Sequence, residues 1–215
     1  MGNKDNCQYT LLEKTGVEEC VKLAIKILEN DGVILTPTDT VYGLVCLPSS
    51  SKAIESIYIM KERPLSSRLP IIVGDIEQAK SQLPLIWNND ALKLANAFWP
   101  GALTIAFGIK ENDINWLNGR IEAGIRIPDF PFIQTLARKI GPLLMTSANR
   151  HGQDTPHNVE GALLSLTHRP SFIIDGGTLS GAPSTLVNVN LPKPVIERNG
   201  SISVQEIKKV LYDFE

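Results

Sequence analysis

GVILTPTDTVYGL, residues 32–44, sets the apolar run Gly32-Val33-Ile34-Leu35 directly before Thr36, Thr38, Asp39 and Thr40, then returns to Val41, Tyr42 and Leu44. The apolar run reads as a short buried strand, bounded upstream by the turn residues Asn30-Asp31-Gly32. Before it, Thr15-Gly16-Val17-Glu18 has the form of a capping box, and Val17, Val21, Ala24, Ile25 and Leu28 recur at helical spacing. After it, Ser51 is placed to cap a second helix through Ala53, Ile54, Ile57 and Met60, which must stop before Pro64. Helix, strand, polar turn and helix in succession is an α/β pattern.

The pattern recurs downstream. A helix is expected over Asp90–Phe98, ended by Trp99-Pro100-Gly101, then a strand over Leu103–Ile109. Gly124–Ile127 reads as a strand, Pro131–Ile140 as a helix closed by Gly141, and Leu143-Leu144-Met145 as a buried strand running into Thr146-Ser147-Ala148-Asn149. Later strands are expected at Ser171–Ile174, Thr185–Val189 and Val195–Arg198, and Ser203-Val204-Gln205-Glu206 is a second capping box opening a C-terminal helix. Strands this closely spaced favour a mixed over a purely parallel sheet. No repeat, low-complexity tract or long linker divides residues 1–215, so a single domain is expected: a twisted mixed sheet with flanking helices.

Composition narrows the function classes. The chain has 215 residues, 43% of them hydrophobic, with a net charge of −2, so no global basic field holds nucleic acid and any polyanion contact must be local. Cys7, Cys20 and Cys46 are odd in number and lack C-x-x-C spacing, which fits neither a disulfide framework nor a thiolate metal site and suits a reducing, cytoplasmic setting. The start Met1-Gly2 precedes no apolar signal region, its likeness to a myristoylation signal is weakened by Asn6, and no run approaches the roughly 18 apolar residues of a membrane span. No membrane association is expected.

Open α/β sheets bind ligands beyond the carboxyl ends of their strands, which makes the polar turns Thr36–Thr40 and Thr146–Asn149 candidate sites. Their hydroxyls and amide suit phosphate, carboxylate or an amino-acid side chain; the plainer alternative is that they cap helices and set turns. Lys61, Arg63 and Arg68 place three cations within eight residues, able to clamp a triphosphate or simply to complement a helix dipole. Arg126, opposite in facing to Ile125 and Ile127, and Arg198, at the end of Val195-Ile196-Glu197-Arg198, suit carboxylate recognition or solvent exposure. His151, Asp154 and His157 match no metal-site spacing and read as surface residues. P-loop, dinucleotide-binding and G-x-S-x-G motifs are absent from the sequence.

Eight blocks in order, PTDTVYGL (37–44), KERP (61–64), FWPGALT (98–104), GIRIP (124–128), LLMTSAN (143–149), IIDGG (173–177), STLVN (184–188) and IERNGSIS (196–203), resemble the YrdC/TsaC family of L-threonylcarbamoyladenylate synthases. The match runs from about residue 20 to about 205. Within it, Gly74 stands where many members carry a polar residue, Leu186 and Asn188 replace the commoner Val and Asp of STVVD, and His151 replaces a frequent Ser.

The resemblance implies a YrdC-like α/β fold around a positively lined cavity, in the short form without an extra C-terminal domain. It implies that L-threonine, bicarbonate and ATP, with Mg²⁺, give threonylcarbamoyl-AMP and pyrophosphate for the N6-threonylcarbamoyl modification of tRNA. Downstream tRNA threonylcarbamoyl-transfer proteins are the implied partners. Carried over by motif, Lys61, Arg63, Thr146, Ser147, Asn149 and Arg198 would hold ATP and the reacting carbamate, while Thr40, Arg126 and Ser184 would hold threonine. In the loop 65–69, one residue longer than usual, Ser67, Arg68 or Leu69 takes a nucleotide-contacting place, assigned to Ser67. Thr38 and Asp39 would shape the turn presenting Thr40, and Tyr42 would wall the cavity. No covalent nucleophile and no protein metal ligand is implied. The rival readings are a carbamoyl transferase of the same fold and a double-stranded RNA or tRNA-binding maturation factor. Residues 61–70 and 148–158 are candidate closing loops.

Overall fold

The computed structural model describes residues 7–117 and 119–212. The Met1-Gly2 start lies outside them. In chain order the elements are β1 (Gln8–Leu11), α1 (Leu12–Thr15), α2 (Val17–Glu29), β2 (Ile34–Thr36), β3 (Gly43–Cys46), α3 (Ser51–Lys61), β4 (Ile71–Ile72), α4 (Ile76–Gln82), α5 (Asn89–Phe98), β5 (Leu103–Gly108), a 3-10 turn (Asn115–Leu117), β6 (Glu122–Arg126), α6 (Pro131–Ile140), β7 (Leu143–Ser147), α7 (Val159–Ser165), β8 (Phe172–Asp175), β9 (Thr185–Asn188), β10 (Val195–Arg198) and α8 (Val204–Tyr212). They group into two compact units, one from residues up to Leu69 plus Leu143–Gly181, the other from Pro70–Pro142 plus Ala182 onward. Each unit draws on two separate stretches of chain, so no linker in the sequence marks a border.

In the first unit the strand order is β1-β8-β2-β3-β7. β8 is parallel to both β1 and β2, whereas β3 is antiparallel to β2 and β7. The mixed character follows from connection length: the β2–β3 turn is too short for a crossover, while the chain from β7 to β8 has room for α7. α2 buries Val21, Ala24 and Leu28 of the face that its periodicity expects, with Cys20 in addition, while Val17 and Ile25 are half-buried, and all of β2 and β3 is buried.

In the second unit the order is β4-β6-β5-β9-β10. β4 is parallel to β6 and β5 to β9, while the pairs β5–β6 and β9–β10 are antiparallel. α6 buries Phe132, Ile133, Leu136 and Ala137, α5 buries Leu94 and Ala95, and α8 buries Ile207 and Leu211. Trp87, Trp99 and Phe107 pack as tilted and edge-to-face rings with centroids 4.8–6.5 Å apart.

Several sequence expectations shift. The Thr15 capping box is not formed: Gly16, at φ 78°, is the N-cap of α2, and the Thr15 hydroxyl instead meets that of Thr10 at 2.5 Å. Ser50 rather than Ser51 caps α3, accepting the Ala53 N–H at 3.1 Å. The Ser203 box is formed, with Glu206 N–H donating to Ser203 Oγ at 3.2 Å and Ser203 N–H to Glu206 Oε2 at 2.8 Å. β1, α1, β3, β4, α4 and α7 are not among the sequence expectations. β4 is two residues long, too short for any period to show, whereas α4 and α7 carry the caps Asp75 and Asn158, whose side chains accept from Gln78 and Gly161.

Candidate active site

The first unit brings both polar turns to one strand end. β3 and β7 pair with Gly43 opposite Ser147 and Leu44 opposite Thr146, and the Ala148 N–H donates to the Tyr42 carbonyl at 2.8 Å. PTDTVYGL and LLMTSAN therefore lie side by side. Within the first turn Thr38 does the shaping: its Oγ1 accepts the N–H groups of Thr40 and Val41 at 3.1 and 3.2 Å and donates to the Val41 carbonyl at 2.7 Å. Thr40 Oγ1 lies 3.0 Å from Thr38 Oγ1. Thr36, Thr38 and Thr40 are all buried. Asp39, at the tip, is partly exposed.

In the second turn Ser147 Oγ donates to Asn149 Oδ1 at 2.5 Å, and the Asn149 amide nitrogen donates to the carbonyls of Arg150 and Gln153 at 3.1 and 2.5 Å. Lys61, at the end of α3, is only 1% exposed. Its ammonium donates to the main-chain oxygens of Ser147, at 2.5 Å, and Asn149, and lies 3.3 Å from Asn149 Oδ1. Burial, helped by the nearby Arg63 cation, pulls its pKa from 10.5 down to about 7. Arg63 turns back on its own loop, with Nε donating to the Ser67 carbonyl at 3.1 Å and Nη2 to that of Arg68 at 3.1 Å. The Ser67 carbonyl also takes the Tyr58 hydroxyl at 2.9 Å, so Ser67 enters the arrangement through its main chain.

The second unit holds the other expected residues. Arg126 closes β6, is 8% exposed, and donates through Nε to the Gly101 carbonyl at 3.0 Å, while Gly101 N–H donates to Ile127 O at 2.8 Å. The Trp99-Pro100-Gly101 turn, with its cis Trp99–Pro100 bond, is thereby fastened to the end of β6. Ser184 and Arg198 meet directly: Arg198 Nη2 donates to Ser184 Oγ at 2.9 Å and Nε to Ser184 O at 3.0 Å. Ser184 Oγ also lies 2.8 Å from the hydroxyl of Thr104, a buried residue that sequence reasoning passed over. Its signal was present, as the last residue of FWPGALT on a strand otherwise apolar.

His151, Asp154 and His157 are exposed. Among the described residues no three His, Cys, Asp or Glu side chains gather as a metal site, and no helix is long and apolar enough to cross a membrane. Chemically, the first unit presents a set of hydroxyl and amide groups beside a buried amine and a guanidinium. The second presents two arginines with serine and threonine hydroxyls. Such groups are suited to binding and orienting anions.

Residues 26–200 match the family model for Sua5, YciO and YrdC proteins, which is described as "Telomere recombination". Threonylcarbamoyl-AMP synthase of Bacillus subtilis (strain 168) is 34% identical over 195 residues, 87% of this chain and 55% of the relative, so the chain spans about half of that protein's length. Threonylcarbamoyl-AMP synthase of Pseudoalteromonas translucida (strain TAC 125) is 32% identical over 180 residues, 79% of this chain and 92% of the relative. Among solved structures, P. abyssi Sua5 complexed with L-threonine is similar with a TM-score of 0.84 and 26% identity, covering 96% of this chain and 61% of the other. The chain belongs to the Sua5/YciO/YrdC family.

Proposed function

We propose that this protein is a threonylcarbamoyl-AMP synthase, joining L-threonine, bicarbonate and ATP into threonylcarbamoyl-AMP with release of pyrophosphate and water. The observation that carries the reading is the pairing of Gly43 with Ser147, which sets the two hydroxyl-rich turns edge to edge beside Lys61. The names of the relatives, and the L-threonine of the P. abyssi Sua5 complex, support the same substrates.

The chemistry needs positioning more than covalent participation. The threonine amine adds to bicarbonate with loss of water, and a carbamate oxygen then attacks the α-phosphorus, breaking its bond to the β-phosphate bridge oxygen. Every reacting partner is anionic, so fixed cations and hydroxyl donors lower the barrier by holding anions together as charge grows on pyrophosphate. In the first unit Arg63 and the hydroxyls of Thr146 and Ser147 are assigned to the nucleotide phosphates. Lys61, expected from the motif to hold ATP, is instead assigned to fixing the turn that carries Ser147 and Asn149, because its ammonium is directed at that turn's oxygens, and Thr40 is assigned to threonine. In the second, Arg126 and Ser184 are assigned to threonine and Arg198 to the nucleotide. Mg²⁺ enters as part of the MgATP substrate, because the described residues offer it no carboxylate cage and phosphate-bound Mg²⁺ keeps mostly water ligands. The product would pass to tRNA threonylcarbamoyl-transfer proteins, and a cytosolic location is part of the same proposal.

Incubation with ATP, bicarbonate and each of several amino acids, with pyrophosphate release and mass spectrometry as readouts, tests the reading. Threonine-dependent pyrophosphate and a threonylcarbamoyl-AMP peak are expected. Pyrophosphate release indifferent to the amino acid would overturn it.

A further inference from the structure

The block IIDGG carries no role in the scheme above, yet it is wired into the first polar turn. Asp175 ends β8, and both its carboxylate oxygens are used. Oδ2 accepts the Tyr9 hydroxyl at 2.5 Å, while Oδ1 accepts the Gly177 N–H at 2.8 Å and lies 3.1 Å from the Tyr42 hydroxyl. Tyr42 is completely buried. Its hydroxyl oxygen accepts the Gly176 N–H at 3.0 Å, and its single proton faces two acceptors, of which the Gly177 carbonyl, at 2.7 Å, is nearer than Asp175. Burial raises the Tyr42 pKa, which keeps the phenol neutral and able to donate. Although burial alone would raise Asp175, the hydrogen bonds from Tyr9, Gly177 and Tyr42 outweigh it and lower the carboxyl, so it stays an acceptor.

The other end of Tyr42 is fixed as well, because its carbonyl accepts the Ala148 N–H of the second polar turn. Further along the same segment, Gly181 lies against Thr40 so closely that a Cβ there would sit 2.5 Å from the Thr40 carbonyl oxygen and 2.9 Å from its Cα. The stretch 175–181 thus braces the Thr40 main chain both through the Tyr42 phenol and by direct contact.

We propose that Asp175 and Tyr42 are positioning residues for the amino-acid substrate, holding the Thr38–Tyr42 backbone so that Thr40 is presented in one geometry, with Tyr9 of β1 as the outer support of Asp175. The proposal rests on the assignment of Thr40 to threonine. It also gives a task to β1, which precedes the residues 26–200 that match the family.

The test uses Tyr42→Phe, Asp175→Ala, Asp175→Asn and Tyr9→Phe, with two readouts. The first is amide hydrogen exchange over residues 38–42, which needs no substrate. The second is the Michaelis constant for threonine set against that for ATP. Tyr42→Phe and Asp175→Ala are expected to speed exchange there and raise the threonine constant about tenfold while leaving that for ATP within about twofold. Asp175→Asn, which keeps an acceptor for the Gly177 N–H, is expected to recover most of the loss, and Tyr9→Phe to cost about threefold. Unchanged exchange at 38–42, or equal rises in both constants, overturns the proposal. If the wild-type protein makes no adenylate from threonine, the proposed function falls, and the exchange data alone decide whether the brace exists.

Discussion

Lys61 and Asn149 stand 88 positions apart in the chain, yet the Lys61 ammonium donates to the main-chain oxygen of Asn149 and lies 3.3 Å from its side-chain oxygen. With Ser147 O as third acceptor, the whole donor capacity of a buried lysine goes into one turn. Lys61→Met should leave those oxygens without a donor and cost about 2–4 kcal/mol in urea unfolding at neutral pH.

Lysine burial also has a pH signature. The pKa of Lys61 falls from 10.5 to about 7, so between those values the unfolded chain keeps a proton that the folded chain releases. Stability then rises with pH across that window, by at most about 1.4 kcal/mol per unit, and the full penalty of the buried charge is present below it. Urea titrations from pH 6 to 10 should show this slope in the wild type and lose it in Lys61→Met.

Arg63 and Tyr58 converge on the Ser67 carbonyl, at 3.1 and 2.9 Å. Either Arg63→Ala or Tyr58→Phe should speed proteolytic cleavage within 64–68, with under about 1 kcal/mol lost from global stability because the loop is largely exposed. The two should part in kinetics. If Arg63 holds the ATP phosphates as proposed, Arg63→Ala alone removes that cation and should raise the Michaelis constant for ATP by about tenfold or more.

Asn188, 3% exposed, donates through its amide nitrogen to Glu122 at 2.8 Å and Glu197 at 2.7 Å. Asn188→Asp, the commoner family residue, would gather three carboxylates without that donor. Like charges raise carboxyl pKa values in the folded state, so the loss should be about 1–3 kcal/mol at pH 7 and shrink as pH falls toward 4. Thermal unfolding at the two pH values measures it.

Gly74, another of the departures noted in the sequence, sits under α6. A Cβ there would lie 2.5 Å from Arg138 Cγ and 2.6 Å from the Gln134 carbonyl oxygen. The arginine stem can move but the helix backbone resists, so Gly74→Ala should cost about 1–3 kcal/mol, read as a lowered midpoint of thermal unfolding.

Much of this protein was legible in its residues. α6 and β10 have the bounds that periodicity and turn residues assign, because Pro131, Gly141 and the β-branched run at Val195 act locally. Every residue carried over by motif could be located, and the main-chain role of Thr38 follows from the habit of threonine at turns. The short strands β1, β3 and β4 escaped, since their order comes from ladder partners far along the chain, such as Phe172 for Gln8 and Ile125 for Ile71.

The sequence by itself determined the family, the α/β alternation and the residue types of the polar turns, all of which are written in local patterns and ordered blocks. Only the tertiary structure decided what those residues hold: Lys61 grips the Ser147–Asn149 turn, Arg198 grips Ser184, and Tyr42 is tied to Asp175 and Gly177. Hydrogen bonds between groups 14 to 135 positions apart leave no period and no spacing to read. For LTPTDTVYGL the chain supplies a turn with four small polar side chains, and the segment folded against it, from Asp175 to Gly181, decides which way Thr40 is held.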